Sequence, residues 1–265
     1  AAGLEVLVAT ENRVDVLLLD LSLPDSTRFE TFVQTITKIP QTPLIVLSVL
    51  SDESLAIQAV RAGAQDYLVK GQVNGQLLAR AISYAVERKQ AQARQAYYLR
   101  TEQVLRQISS RFVDPRKQGQ AIEEALKDTG RVLEVDRAHL FVLKNKTDLV
   151  NAYEWAAGET PSLYTDDPPL DTTSLPQTVD LLTSSEIISI SDTDRLPAPD
   201  RQTYHRYGIL ALLAAPIFTH GAIYGILTYE ETGRNREWRS EEIGFLKKAA
   251  ENLGRAVARV EAEQL

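Results

Sequence analysis

Short, uninterrupted aliphatic runs alternate with amphipathic stretches over the first 75 residues of the chain. Residues 4–8, 14–19 and 44–47 lack polar alternation, which predicts strands buried on both faces of a parallel sheet. Between the last two, residues 29–39 suit a crossover helix. Residues 54–62 set Leu55, Ile57, Ala59 and Val60 in a helical stretch that Gly63 ends, and residues 67–69 read as a further strand. The order β, α, β, α, β predicts a doubly wound α/β fold.

Residues 76–112 are almost free of Gly and Pro, and 87–95 are polar on every side, the pattern of a solvent-exposed helix bridging two domains. The pattern then changes. Residues 118–133 predict a helix with Ile122, Leu126, Thr129 and Leu133 on one stripe, and 138–143, 150–155, 187–190, 209–218 and 222–230 predict strands. The last two meet at Thr219-His220-Gly221, a hairpin signal, and a Pro, Thr, Ser and Asp-rich passage fills 158–176. Helices at both ends of such a strand set suggest an α+β domain. The final helix opens with Ser240 as expected N-cap and an acidic first turn. Its Ile243, Leu246, Ala250, Leu253, Val257 and Val260 form a narrow seam that suits either a parallel homodimer or the domain's own sheet.

Composition narrows the chemistry. The 265 residues carry a net charge of −7, which argues against a dedicated nucleic-acid binder. There is no cysteine, so disulfides, thiolate metal sites, a cysteine nucleophile and a covalently attached bilin are excluded. The longest nearly apolar run, 209–218, is half of what a membrane span needs, and the expectation is a soluble, cytoplasmic protein. Methionine is absent even at position 1, which suggests a piece of a longer translation product. His139, His205 and His220 are scattered, and His139 reads as a satisfied core or edge histidine.

Asp20 ends the second aliphatic run, Ser48 the third, and Lys70 follows the fourth. In an open α/β sheet ligands gather at the carboxyl ends of the strands. A carboxylate, a hydroxyl and an ammonium there match an anionic nucleophile with two groups to hold the oxygens of a transferred phosphoryl group.

With Ala62-Gly63-Ala64, Asp66-Tyr67-Leu68-Val69-Lys70 and the Ser48 to Lys70 spacing, residues 1–88 resemble the receiver domain of two-component response regulators, a flavodoxin-like fold. The resemblance implies that Asp20 accepts a phosphoryl group from a sensor histidine kinase. It makes Ser48 the hydroxyl that follows the group, Tyr67 the aromatic switch and Lys70 the cationic partner. It also implies Mg2+, held by Asp20 and the main-chain carbonyl of Ser22. The family's acidic pair at the end of its first strand is not present, and 4–8 runs into 11–15 where the family has a whole helix, so the domain reads as incomplete at its N-terminus. Gly71 replaces the usual proline after the lysine.

Residues 89–112 are the expected helical linker, and 113–265 resemble a GAF domain with a C-terminal signalling helix. That resemblance rests on Asp136-Arg137-Ala138, Tyr153-Glu154-Trp155, Ala215-Pro216-Ile217, Gly225-Ile226-Leu227 and the segment from Trp238 to Glu242. Asn235 and Glu242 stand near a cyclic-nucleotide signature, but Trp238 replaces its phenylalanine. Trp155, Tyr164, Tyr204 and Tyr207 are candidates for a ligand pocket, against ordinary packing.

The expected function is that of a response regulator whose phosphorylated receiver controls the GAF domain, with no catalysis of its own. No phosphate-binding Gly-Lys-Ser/Thr loop, Gly-x-Ser-x-Gly elbow, His-Glu-x-x-His helix or kinase motif set occurs. The alternatives are a pseudo-receiver and GAF binding and dimerisation module, or the regulatory part of a larger kinase or cyclic-dinucleotide enzyme.

Overall fold

A computed structural model describes residues 14–21, 28–49, 53–112, 114–144, 148–160, 162, 170–184 and 187–263. The expected strand at 4–8 therefore lies outside the described residues, as do Ser22 and Tyr164. The chain divides into two compact units, 1–98 and 99–265. Among the described residues no helix is long and apolar enough to cross a membrane.

The first unit runs β1 (Leu17–Asp20), α1 (Arg28–Lys38), β2 (Leu44–Ser48), α2 (Glu53–Arg61), β3 (Asp66–Val69) and the beginning of α3 (Gly75–Arg111). The strands form a parallel sheet in the order β1-β2-β3, with Leu17 beside Leu44 and Ile45 beside Asp66. Leu21, Leu44 and Val46 pack with Phe32 of α1 and Ala59 of α2, while Ile45 and Leu68 pack with Ala81 and Ala85 of α3. Helices on both faces explain why these strands are aliphatic without alternation. β1 starts three residues later than the aliphatic run suggests. Pro43 has no N–H to extend the ladder, and its carbonyl accepts from Leu17 N at 2.8 Å. α3 begins where Asn74 Oδ1 accepts from Leu77 N at 2.8 Å, an N-cap bond. Residues 90–96 of α3 are exposed on every side, as their polarity predicts.

The second unit contains the rest of α3, then α4 (Gln118–Leu133), β4 (Arg137–Lys144), β5 (Asp148–Ala156), β6 (Leu170–Asp171), α5 (Pro176–Thr183), β7 (Ile188–Ile190), α6 (Asp200–Arg206), β8 (Ala211–Thr219), β9 (Ala222–Glu231) and α7 (Ser240–Glu263). Its six strands lie in the antiparallel order β6-β5-β4-β9-β8-β7. The β8–β9 turn is the predicted one: His220 and Gly221 have φ of 49° and 80°, as a two-residue hairpin loop requires. α4 and α7 cover one face of the sheet. There Gly254 lets α7 approach β8 so closely that a Cβ would stand 2.5 Å from the Phe218 carbonyl oxygen. α5 and α6 lie over the other face, where Tyr204 and Tyr207 pack with Leu212, Ala214 and Ile226.

One open alternative closes here and one expectation changes. Leu246, Ala250, Leu253, Val257 and Val260 of the seam are buried within the protomer, so the narrow stripe serves the chain's own core and is not a free dimer surface. α7 instead runs parallel to the last turns of α3: Glu102 pairs with Lys248, Leu105 O accepts from Asn252 Nδ2, and Phe112 O accepts from an Arg259 guanidinium N–H. Ser240 is the first helical residue and not the cap. Glu242 Oε2 accepts from Arg239 N at 2.8 Å, the returning half of a capping box.

Candidate functional site

Parallel pairing brings the ends of β1, β2 and β3 to one edge of the first sheet. Asp20 is the last residue of β1, Ser48 the last of β2, and Lys70 follows β3 directly. Leu21 N donates to Leu47 O at 3.0 Å and Lys70 N to Ser48 O at 2.8 Å, so main-chain bonds fix all three ends. The Lys70 ammonium lies 2.5 Å from Asp20 Oδ2, with both side chains partly open to solvent at 39 % and 28 %. Ser48 is buried. The ends of three aliphatic runs far apart in the sequence thus lie at one edge of the sheet. Tyr67 lies on β3, half-buried against the α1 and α2 cluster, and its amide donates to Asp66 Oδ1 at 2.8 Å.

The ion implied by the resemblance does not fit the described residues. No group of three or more His, Cys, Asp or Glu side chains gathers among them, and the Asp20 carboxylate is engaged by Lys70. Magnesium requires a near-octahedral set of oxygens, which these residues alone do not supply.

The second unit holds a cavity of about 40 Å3 between the sheet and α5 and α6. Tyr204 and Tyr207 line it with Leu212, Ala214 and Ile226. Trp155 is not among its walls. Its ring lies against Gly130 of α4, on the opposite side of the sheet, because alternation along β5 gives that face to the helices. Polar groups that sequence reasoning missed line the cavity: Thr178, Thr203, Thr228 and Glu230. Glu230 Oε2 lies 3.1 Å from Arg137 Nε and 3.4 Å from His139 Nε2, all three being fully buried. Burial pushes the Glu230 carboxyl up, but His139 and Arg137 outweigh it and hold the group below its usual range. His139 is thus a core histidine with an acidic partner.

Asp200 ties the cavity's cover together. It accepts from Thr178 N at 3.0 Å and Thr178 Oγ1 at 2.8 Å, and Thr178 Oγ1 lies 2.8 Å from Tyr204 Oη. Burial pushes the Tyr204 phenol up, with Asp200 and Glu230 adding to it against the Thr178 bond.

A second ionic cluster lies where β9 meets α7. Arg236 donates to Glu242 Oε1 at 2.7 Å, to Leu133 O at 2.6 Å and to Glu231 Oε1, and it stacks on Trp238 at 4.5 Å. The guanidinium satisfies carbonyls at the end of α4 while joining Glu231 to Glu242. Its sequence signal was a basic residue beside Asn235, six residues before Glu242.

Residues 2–82 match the response regulator receiver domain and residues 119–257 the GAF domain. The chain is 32 % identical over 148 residues to the methanogenesis regulatory histidine kinase FilI of Methanothrix harundinacea, a match to 53 % of this chain and 16 % of that protein. It is 43 % identical over 75 residues to the KDP operon transcriptional regulatory protein KdpE of Escherichia coli, covering 28 % of this chain and 33 % of that one. The chain thus spans a third or less of the length of these two relatives. Among solved structures, the phycoerythrobilin-bound GAF domain of a cyanobacterial phytochrome aligns with a TM-score of 0.57 at 19 % identity, over 62 % of this chain and 98 % of that one. The chain belongs to the GAF domain family and carries a response regulator receiver domain ahead of its GAF domain.

Proposed function

We propose that this chain is a cytoplasmic, phosphorylation-controlled regulatory module in which Asp20 accepts a phosphoryl group from a sensor histidine kinase and the GAF unit responds. The supporting observation is the 2.5 Å pair of Asp20 and Lys70 at the strand ends, with Ser48 on the strand between them. In the transfer, an Asp20 oxygen bonds to phosphorus as the phosphorus–nitrogen bond of the donor phosphohistidine breaks. The Lys70 ammonium then neutralises charge on the phosphoryl oxygens, and the Ser48 hydroxyl donates to another of them. The module has no catalysis of its own in this reading, and an effector domain elsewhere in the parent protein carries the output.

The cavity supports a second role, in sensing. A bilin linked through a thioether is excluded because the chain has no cysteine. The bilin-bound structures that it resembles share its fold at identities too low to carry their ligand over.

The test of the first reading is intact mass before and after incubation with acetyl phosphate, with and without magnesium. One added phosphoryl group, absent from Asp20→Asn, is expected. Equal labelling of the variant, or none of the parent, would overturn it and favour the pseudo-receiver.

A further inference from the structure

We propose that α3 carries a self-association surface, along which two copies of this chain pair through Leu77, Tyr84, Ala91 and Tyr98. The inference stands apart from the phosphorylation reading and from any ligand of the GAF unit.

Leu77, Tyr84 and Tyr98 are among the large apolar side chains left open to solvent, at 42 %, 57 % and 60 % exposure, and with Ala91 they recur every seven residues of α3. Positions seven apart on a helix return to within about 20° of one line, so the four make a narrow seam about 32 Å long. The protomer uses other faces of α3: Ala81 and Ala85 enter the core of the first unit, and Thr101, Val104 and Ile108 are buried further along. Between them, from 90 to 96, the helix is exposed on every side, where helix propensity alone holds it only marginally. A partner on the seam supplies the packing that this stretch lacks. The seam of α7 is consumed within the protomer, and that of α3 is open.

The charges beside the seam point to a second copy as that partner. Glu87 and Arg94 lie on one side of it and Arg88 and Gln95 on the other, all four exposed. Arg80, which continues the first side, stands 6.0 Å over the Tyr84 ring of its own chain. When two copies run in opposite directions with Ala91 against Ala91, each Tyr84 faces the other's Tyr98 and each Glu87 the other's Arg94, because both pairs are centred within a residue of 91. When they run in the same direction, each Glu87 faces the other's Arg88. Both arrangements give each acid a cation across the seam, so the surface is self-complementary, which a two-fold interface demands. Ala91, the smallest of the four side chains, lets the backbones approach at the centre, and the tyrosines bring ring area to either side of it.

Two measurements on the full chain test this. The chain has no cysteine, so single cysteines report the seam without background. Ala91 and Ala93 are both exposed and point to nearly opposite sides of α3. Under mild oxidation Ala91→Cys is expected to form the disulfide-linked dimer about 10-fold faster than Ala93→Cys. Sedimentation velocity over a concentration series reads the cysteine-free chain, which is expected to dimerise. Glu87→Arg alone, and Arg88→Glu with Arg94→Glu in one chain, should each weaken the dimer about 10-fold, and an equimolar mixture of the two should restore it, since the exchanged charges meet only across the seam. Thermal melts of the variants should match the parent, as every substituted position is exposed; should one fold poorly, the cysteine comparison decides. A parent that stays monomeric throughout the series, equal cross-linking at 91 and 93, or a mixture that pairs no better than its components overturns the proposal. Labelling of Asp20, read by mass, is unaffected by any of these outcomes.

Discussion

Glu230 and Glu231 are consecutive on β9, both almost fully buried, and they carry their charges to opposite faces of the same sheet. Glu230 meets Arg137 and His139 beside the cavity, while Glu231 meets Arg236 at the start of the path into α7. Two buried carboxylates in a row are tolerated because strand alternation gives each its own guanidinium.

Arg236 is the residue that the second of these arrangements depends on. Arg236→Ala leaves Glu231 and Glu242 buried without their common cation and frees carbonyls at the end of α4. A loss of about 3 kcal/mol in unfolding free energy is expected, measured by urea titration. Arg236→Lys restores the charge without the planar fork and should recover only part.

Acid should weaken the same region. Burial pushes the Glu242 carboxyl up, but bonds from Arg239 and Arg236 outweigh it and hold the group below its usual 4.5. A depressed carboxylate contributes its full stability above that value, and the contribution is lost as pH falls through the lowered one. Asp136 behaves alike, since bonds from Thr232 and Gly233 outweigh its desolvation. Thermal melts should fall steeply below about pH 4.5, and Glu242→Gln should be less stable at neutral pH with a shallower acid limb.

Lys70 is expected to act on the rate of phosphoryl transfer and little on folding. Lys70→Ala should slow labelling of Asp20 by acetyl phosphate by about 100-fold. Its melting temperature should change little, since the pair is solvent-accessible. Time-resolved intact mass against a thermal melt separates the two effects.

Gly130 tests the placement of Trp155. A Cβ at Gly130 would stand 2.3 Å from the indole, so Gly130→Ala forces the ring or the helix to shift. A destabilisation of about 2 kcal/mol is expected despite the better helix propensity of alanine. Trp155→Leu in the same chain should recover part of it.

The strand-end residues were legible because buried parallel strands carry no polar residues until they end, so Asp20, Ser48 and Lys70 stood out where the aliphatic runs stopped. The cavity was legible only in its aromatics. Tyr204 lies on α6 and Tyr207 caps its end, so the two arrive together, but Trp155 required the face of β5, whose pairing with β4 shifts register at Leu140/Phe141. Arg137, His139 and Glu230 meet across β4 and β9, a register that no local pattern announces. The seam of α7 kept its spacing and changed its meaning, because a narrow apolar stripe does not record whether its partner belongs to the same chain.

The parallel course of α3 and α7 also has a mechanical meaning. Glu102, Leu105 and Phe112 meet Lys248, Asn252 and Arg259 in the same order along both helices, so Leu99 and Glu263 lie at opposite ends of the pair, about 27 Å apart along its axis. Tension applied between those two points loads all three links at once, in shear, instead of peeling them one after another. The helix pair therefore works as a stiff strut through the GAF unit, one that passes a displacement lengthwise before it comes apart.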